Sequence, residues 1–342
     1  MSDEQNKQED GGTGVQHRHV TADEDGMRLD RWFKAHFPQL SHGQLEKLLR
    51  KGQIRVGGSR AKASTRIEKG QKLRIPPMPA GASSPKPKRY KAPAPTASDR
   101  QALERMTLFE DDAVLVVNKP EGLAVQGGSN QTKHLDAMLR AKEKNGEVPR
   151  LVHRLDKDTS GVMVLGKTAA ATRKLASAFR ARDSFKLYWA LTAGVPTPLE
   201  GDIDAALAKS GAPGREKMGA DDEDGKRAVT RYATIDHAGK QSAWLALRPI
   251  TGRTHQLRVH LALIDRPILG DRKYGGPESR LNDIANKLHL HAQRLILPHP
   301  TRGMIDVEAP PPPHFVASLK TLGFALVDGA SGYDRLLEAE GL

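Results

Sequence analysis

The chain has 342 residues and carries 54 Lys and Arg against 41 Asp and Glu, a formal net charge of +13. That length suggests two domains plus tails, and the basic surplus points to an acidic partner such as nucleic acid or an anionic surface. The absence of cysteine excludes disulfides, thiolate zinc sites and cysteine nucleophiles. No apolar run approaches the ~18 residues of a membrane span, and the acidic N-terminus is unlike a signal peptide, so a soluble, cytoplasmic protein is expected.

The charge is unevenly spread. Residues 1–26 have a net charge of −5, residues 27–76 of +10, residues 77–100 of +4 and the remaining 242 residues of +4. Residues 1–24 are rich in Gly, Gln and acid without apolar periodicity, and are predicted to be a disordered tail. Residues 25–76 read as a small domain. Leu29, Trp32 and Phe33 recur at helical spacing up to Pro38, and Ser41 with Gln44 forms a capping box ahead of Leu45, Leu48 and Leu49. Gly52 closes that second helix, and the alternating stretches 53–56 and 72–75 predict short strands around a Gly57-Gly58 turn. The stretches RLDRWF, LLRKGQIRV and EKGQKLRIP resemble the S4 RNA-binding domain. That resemblance implies phosphate contacts from Arg28, Arg31, Lys47, Arg50, Lys51 and Arg55, which would position RNA rather than read its sequence.

Residues 77–100 contain six prolines with Ser, Ala and Lys, and are predicted to be a linker. A larger domain follows over 101–325, with a C-terminal tail over 326–342. Strands are predicted at 114–117, 162–165, 186–193, 229–235, 243–248 and 288–297, and helices at 169–182 and 253–264. No regular βα alternation is present. The fold class expected is therefore α+β, on a mixed or antiparallel sheet. The Gly- and acid-rich insertion 209–224 reads as a mobile loop.

The densest polar segment, HRLDKDTSG (153–161), lies on a loop just before a strand, a common place for reactive groups. Gly161 to Thr168 formally satisfies a phosphate-loop pattern, but its four intervening residues, Val162-Met163-Val164-Leu165, form an apolar strand instead of a loop of amides. A kinase catalytic loop needs Asp directly after Arg, which 153–161 lacks.

HRLDKDTSG resembles the active-site motif of the RluA-type pseudouridine synthases. VLVVNKPEGLAVQGG upstream, and TGRTHQLRVH with GDRKYGG downstream, agree with that family in order and spacing. The segments QGGS and GKRAVTRY are most similar to its "C" subgroup, which modifies large-subunit ribosomal RNA at several uridines. The resemblance implies isomerisation of uridine in RNA without a cofactor or a metal, by a monomeric protein whose partner is ribosomal RNA. It places the catalytic aspartate at Asp156, as nucleophile or as base at the ribose, and a tyrosine that packs on the target base at Tyr188. The family's ion pair to the aspartate is expected from Arg253, because Arg253, Leu257, Leu261 and Ile264 would share one helix face. Arg154 would hold the place of the extruded nucleotide, with His153, Lys186 and Leu257 also on the substrate. His255, His260, His289 and His291 read as structural. A noncatalytic ribosome-assembly factor and an N-glycosidase using the same carboxylate are the competing readings.

Overall fold

The computed structural model describes residues 14–77, 95–127, 133–181, 183–211, 217–221 and 223–338. The chain divides into two compact units, residues 1–92 and 93–342. The first contains β1 (Gln16–His19), α1 (Leu29–His36), α2 (His42–Arg50), β2 (Arg55–Val56), β3 (Ser59–Arg60) and β4 (Lys72–Ile75). Its antiparallel sheet runs β1-β4-β2-β3. Leu29, Trp32 and Phe33 of α1 and Leu45 and Leu49 of α2 meet Ile54, Leu73 and Ile75 in one core. Ser41 caps α2 as its sequence predicts, accepting from the Gln44 N–H while the Gln44 side chain accepts from the Ser41 N–H.

One expectation is corrected here. Residues 16–19 are not tail but a strand paired with β4, and Val20 beside them is buried. Gln-His-Arg-His shows no apolar alternation because these residues are mostly exposed, and the strand is held by backbone pairing. The expectations for residues 1–13 and for 78–94 of the linker lie outside the described residues.

The second unit opens with α3 (Ala97–Met106), β5 (Thr107–Glu110), β6 (Val114–Lys119), α4 (Leu135–Met138) and β7 (Arg150–Leu151). Next come β8 (Ser160–Gly166), α5 (Ala169–Ala181), β9 (Phe185–Ala193), β10 (Glu200–Asp204), and a separate hairpin of β11 (Leu207–Ser210) and β12 (Lys217–Ala220). The unit ends with β13 (Val229–Ala238), β14 (Ser242–Pro249), α6 (Gln256–Leu263), β15 (Leu290–Pro298), β16 (Met304–Glu308), α7 (Pro313–Leu322) and α8 (Gly329–Glu338). Ten strands form one sheet in the order β10-β13-β14-β9-β15-β8-β6-β5, with β16 beside β15 and β7 beside β8. Every pairing is antiparallel except β8 with β15. This is an α+β fold on a mixed sheet, as the sequence predicts.

Helices cover both faces. Val114, Val116, Val162 and Val164 pack on Ala171 and Leu175 of α5, while Leu115, Val117, Met163 and Leu165 pack on Leu103 of α3 and Leu135 and Met138 of α4. This in–out alternation buries β6 and β8 on both sides, which explains their uninterrupted apolar sequence. The 161–168 segment is thus a buried strand through Gly166, consistent with rejecting a phosphate loop.

Two further expectations are corrected. The C-terminal segment is not a tail: α8 packs on the sheet, with Leu336 buried and the Arg335 guanidinium donating to the Thr234 carbonyl at 2.7 Å. The insertion contains the β11–β12 hairpin, anchored by Met218 against Leu207, Val259 and Tyr274.

The parallel junction positions the functional loop. Ser160 pairs with His291 and Gly161 with Ala292, while Ala292 pairs on its other side with Tyr188 of β9. Gly161 has φ +116°, and a Cβ there would fall deep inside the contact distance of the Ala292 backbone. Gly161→Ala is therefore expected to destabilise the protein by several kcal/mol, combining backbone strain with a clash that no side-chain rotation relieves. A denaturant titration of the variant measures it.

Candidate active site

Residues 153–159 leave β7 and cross to the start of β8, and each end of the crossing is fixed. His153 Nε2 accepts the Val164 N–H at 3.0 Å, and its ring stacks on Phe179 at 4.6 Å. Burial pushes its pKa down to about 3, so it is a neutral acceptor. At the other end, Ser160 Oγ donates to His291 Nδ1 at 2.9 Å, and His291 Nε2 donates to the Ala309 carbonyl at 2.9 Å. In between, the buried Lys119 ammonium reaches across from the end of β6. It donates to the carbonyls of Pro120 at 2.8 Å, Leu123 at 2.9 Å and Lys157 at 3.0 Å. Burial lowers the Lys119 pKa to about 8, against the pull of Asp158, Asp156 and Glu121.

The loop borders a cavity of about 520 Å³. Arg154, Asp156, Lys186, Tyr188, Arg253 and Arg258 are among its lining residues, as are His153, His255 and Leu257. The structure thus brings together every cavity residue named from the sequence. Asp156 is partly buried, with Oδ2 3.7 Å from Arg258 Nη1 and Oδ1 3.8 Å from His255 Nε2. Tyr188 is half-buried, and burial together with the Asp156 charge pushes its hydroxyl pKa up. Arg154 is exposed at the mouth.

The expected Arg253–Asp156 pair is corrected. Arg253 is exposed, and its Nε donates to the Arg227 carbonyl at 3.1 Å. The cation beside Asp156 is Arg258. The helical face inferred from residue 253 onward does not exist, because His255 has φ +54° and α6 begins only at Gln256. The positive φ breaks the helical phase between Arg253 and Leu257. Moreover, Gln256 through Leu261 are all buried, so an apolar stripe does not distinguish one side of α6 from another.

Arg258 is itself clamped. Its Nε and Nη2 each reach a carboxylate oxygen of Asp271 at 2.7 Å, a bidentate pair that leaves Nη1 toward Asp156. Asp271 is almost wholly buried and also accepts the N–H groups of Lys273 and Tyr274 at 2.9 and 3.1 Å. Burial raises the Asp271 carboxyl, but these partners outweigh it and the pKa is lowered. Gln256 fixes the preceding loop: its Oε1 accepts from Thr251 Oγ1 and the Arg253 N–H, and its Nε2 donates to the Val229 carbonyl and Thr230 Oγ1.

Sequence reasoning missed Arg258, Lys119, Asp271 and Tyr274, and read His255 as structural. All five stand inside the quoted motifs, His255 and Arg258 in TGRTHQLRVH, Lys119 in VLVVNKPEGLAVQGG, and Asp271 and Tyr274 in GDRKYGG. His289 fits the structural reading, with Nδ1 donating to the Leu269 carbonyl and Nε2 accepting from Ser318. His255 does not, since it faces Asp156. Among the described residues, no group of three or more His, Asp or Glu side chains is placed to hold a metal ion. No described helix is long and apolar enough to cross a membrane.

The loop, its clamped arginine and the cavity tyrosine sit in a segment that matches a family model. Residues 113–263 match the RNA pseudouridylate synthase family. The chain is 34% identical over 297 residues to ribosomal large subunit pseudouridine synthase C of Escherichia coli K12, covering 85% of this chain and 91% of that protein. It is 33% identical over 289 residues to the protein of that name from Rickettsia bellii, covering 84% and 95%. Among solved structures, human RNA pseudouridylate synthase domain containing 4 superposes with a TM-score of 0.56 at 33% identity, covering 66% of this chain and 96% of that one. The chain belongs to the RNA pseudouridylate synthase family, and it is an enzyme that isomerises uridine to pseudouridine in RNA.

Proposed function

We propose that the substrate is large-subunit ribosomal RNA and that Asp156 is the reacting carboxylate. The observation that carries this reading is the setting of Asp156. It stands at the wall of a cavity of about 520 Å³, with one oxygen toward Arg258 and the other toward His255, beside Tyr188. A carboxylate flanked on both oxygens presents its edge to an extruded nucleotide, as nucleophile at the ribose or as base on it. The N1–C1′ bond breaks, the uracil turns within the cavity, and C5 bonds to C1′. C5 gives up its proton and N1 gains one. Tyr188, kept protonated by its raised pKa, offers a hydroxyl for that transfer beside the base. Arg154 and Lys186 supply cations at the cavity wall for the flanking phosphates, and Leu257 an apolar surface.

The first unit is proposed to hold RNA through the exposed Arg31, Lys47, Arg50 and Lys51. The last three share one side of α2 at positions i, i+3 and i+4. Two of the six basic residues named from the sequence are engaged within the unit: Arg28 pairs with Asp30, and Arg55 donates to the carbonyls of Gly52 and Gly58. Replacing Lys47, Arg50 and Lys51 by Gln is expected to flatten the salt dependence of RNA binding by about two to three in log–log slope. Turnover at saturating RNA should be unaffected. Filter binding across a salt series reads the slope. A monomer working in the cytoplasm, where large-subunit RNA is assembled, completes the proposal.

Mapping pseudouridines on large-subunit ribosomal RNA from cells with and without the gene tests the substrate assignment. Loss of discrete sites in the deletion supports it, and an unchanged map overturns it. Released uracil from the purified enzyme would instead favour the N-glycosidase chemistry.

A further inference from the structure

Tyr274 and His255 form a chain of contacts that ends on Asp156. The Met218 N–H donates to Tyr274 Oη at 3.2 Å, and that same oxygen lies 2.7 Å from His255 Nδ1. A phenol has one proton. With its oxygen accepting from Met218 on one side, the Tyr274 O–H is free to donate across the 2.7 Å contact, an arrangement in which Nδ1 is the acceptor. A neutral imidazole whose Nδ1 accepts carries its proton on Nε2, and His255 Nε2 stands 3.8 Å from Asp156 Oδ1. Tyr274 is in turn fixed by the Asp271 carboxylate at its N–H and by the Arg258 guanidinium 5.1 Å over its ring.

We infer that His255 is a positioning residue for Asp156, held by Tyr274 as the Nε2–H tautomer so that its ring N–H faces one carboxylate oxygen while Arg258 faces the other. The inference rests on the reading of Asp156 as the reacting group. The groups facing the ring are Asp156, Asp271, Arg258 and Lys273; burial and the two cations lower the His255 pKa, which keeps the ring neutral. The backbone supports the same role. His255 holds φ +54°, a conformation uncommon outside glycine, and this turn sets the ring between Tyr274 and Asp156. The outer end of the relay is Met218 of the β11–β12 hairpin, so the insertion is tied to the reacting centre by one backbone N–H.

The test uses the full-length protein labelled with ¹⁵N-histidine. Long-range ¹H–¹⁵N correlation spectra distinguish an Nε2–H from an Nδ1–H ring without any substrate. The expected result is an Nε2–H ring for His255 in the parent protein, and a mixed tautomer population in Tyr274→Phe. An Nδ1–H ring in the parent, or an unchanged tautomer in Tyr274→Phe, overturns the inference. Neither result bears on whether Asp156 reacts.

Activity gives a second, independent readout. Gln can place an amide N–H where Nε2–H stood, whereas Asn tolerates the positive φ better. The relay predicts that His255→Gln keeps at least fivefold more single-turnover activity than His255→Asn on a large-subunit ribosomal RNA transcript, with equal RNA affinity. A purely structural role for residue 255 predicts the reverse order, and equal or reversed rates overturn the proposal. Should Asp156→Asn retain full activity while the tautomer result holds, the reading of Asp156 fails and the relay geometry stands.

Discussion

Asp156→Asn is expected to reduce pseudouridine formation by at least about a thousandfold while leaving the fold and RNA affinity intact. The substitution keeps the size of the side chain and removes its charge, so packing in the partly buried loop changes little. What it removes is the anion toward which Arg258 and His255 are directed, at 3.7 and 3.8 Å. An amide neither attacks at the ribose nor removes a proton from it. The measurement is tritium release from C5-labelled uridine in a ribosomal RNA transcript, under single-turnover conditions and at saturating enzyme. Parental rates in the variant would show that Asp156 is not the reacting carboxylate.

Arg258→Ala and Arg253→Ala are expected to differ sharply, although both arginines lie in one ten-residue motif. Arg258 is buried, doubly bonded to a buried Asp271 and within reach of Asp156. Removing it leaves the Asp271 carboxylate without its cation in a low-dielectric setting, at a cost of about 3–5 kcal/mol. It also removes the cation beside Asp156, so activity should fall by more than a hundredfold even in the population that folds. Arg253 is exposed and bonds a carbonyl, so its replacement should cost less than about 1 kcal/mol and act chiefly on RNA affinity. Thermal denaturation beside single-turnover rates separates the two effects. Lys at 258 is not expected to rescue, because one ammonium cannot bridge both Asp271 oxygens and Asp156.

That contrast also shows where sequence reading reaches its limit. The strands β6, β8, β9, β13, β14 and β15 were legible because their apolar residues run together or alternate, and the pairing of chain segments with one another leaves that pattern in the sequence. The position of Asp156 was legible because several segments agree with one family in order. The identity of its cation was not. The choice between Arg253 and Arg258 depended on helical phase, and one residue with positive φ shifted that phase. Asp271 and Tyr274 lie 115 and 118 positions beyond Asp156 in the chain, and only the fold brings the arginine and histidine they hold to that aspartate. The helix α8 escaped notice for a different reason: its buried face is built from a few residues such as Leu336 and Tyr333, with two glycines and Arg335 adding to the contact.

Lys119 shows how a site of this kind weighs on the stability of the whole molecule. Its folded pKa of about 8 lies below the ordinary 10.5, so between those values the unfolded chain binds more protons than the folded one. Stability contributed through this group therefore rises as the pH climbs from 8 toward 10.5, and at neutral pH the buried charge costs about 3 kcal/mol. The fold accepts that debit because three carbonyls, one of them belonging to Lys157 beside Asp156, need a donor that a hydrocarbon could not supply. Its charge thus lowers stability at neutral pH while holding the loop beside Asp156 in place. The residue marks a point at which durability and chemistry pull in opposite directions.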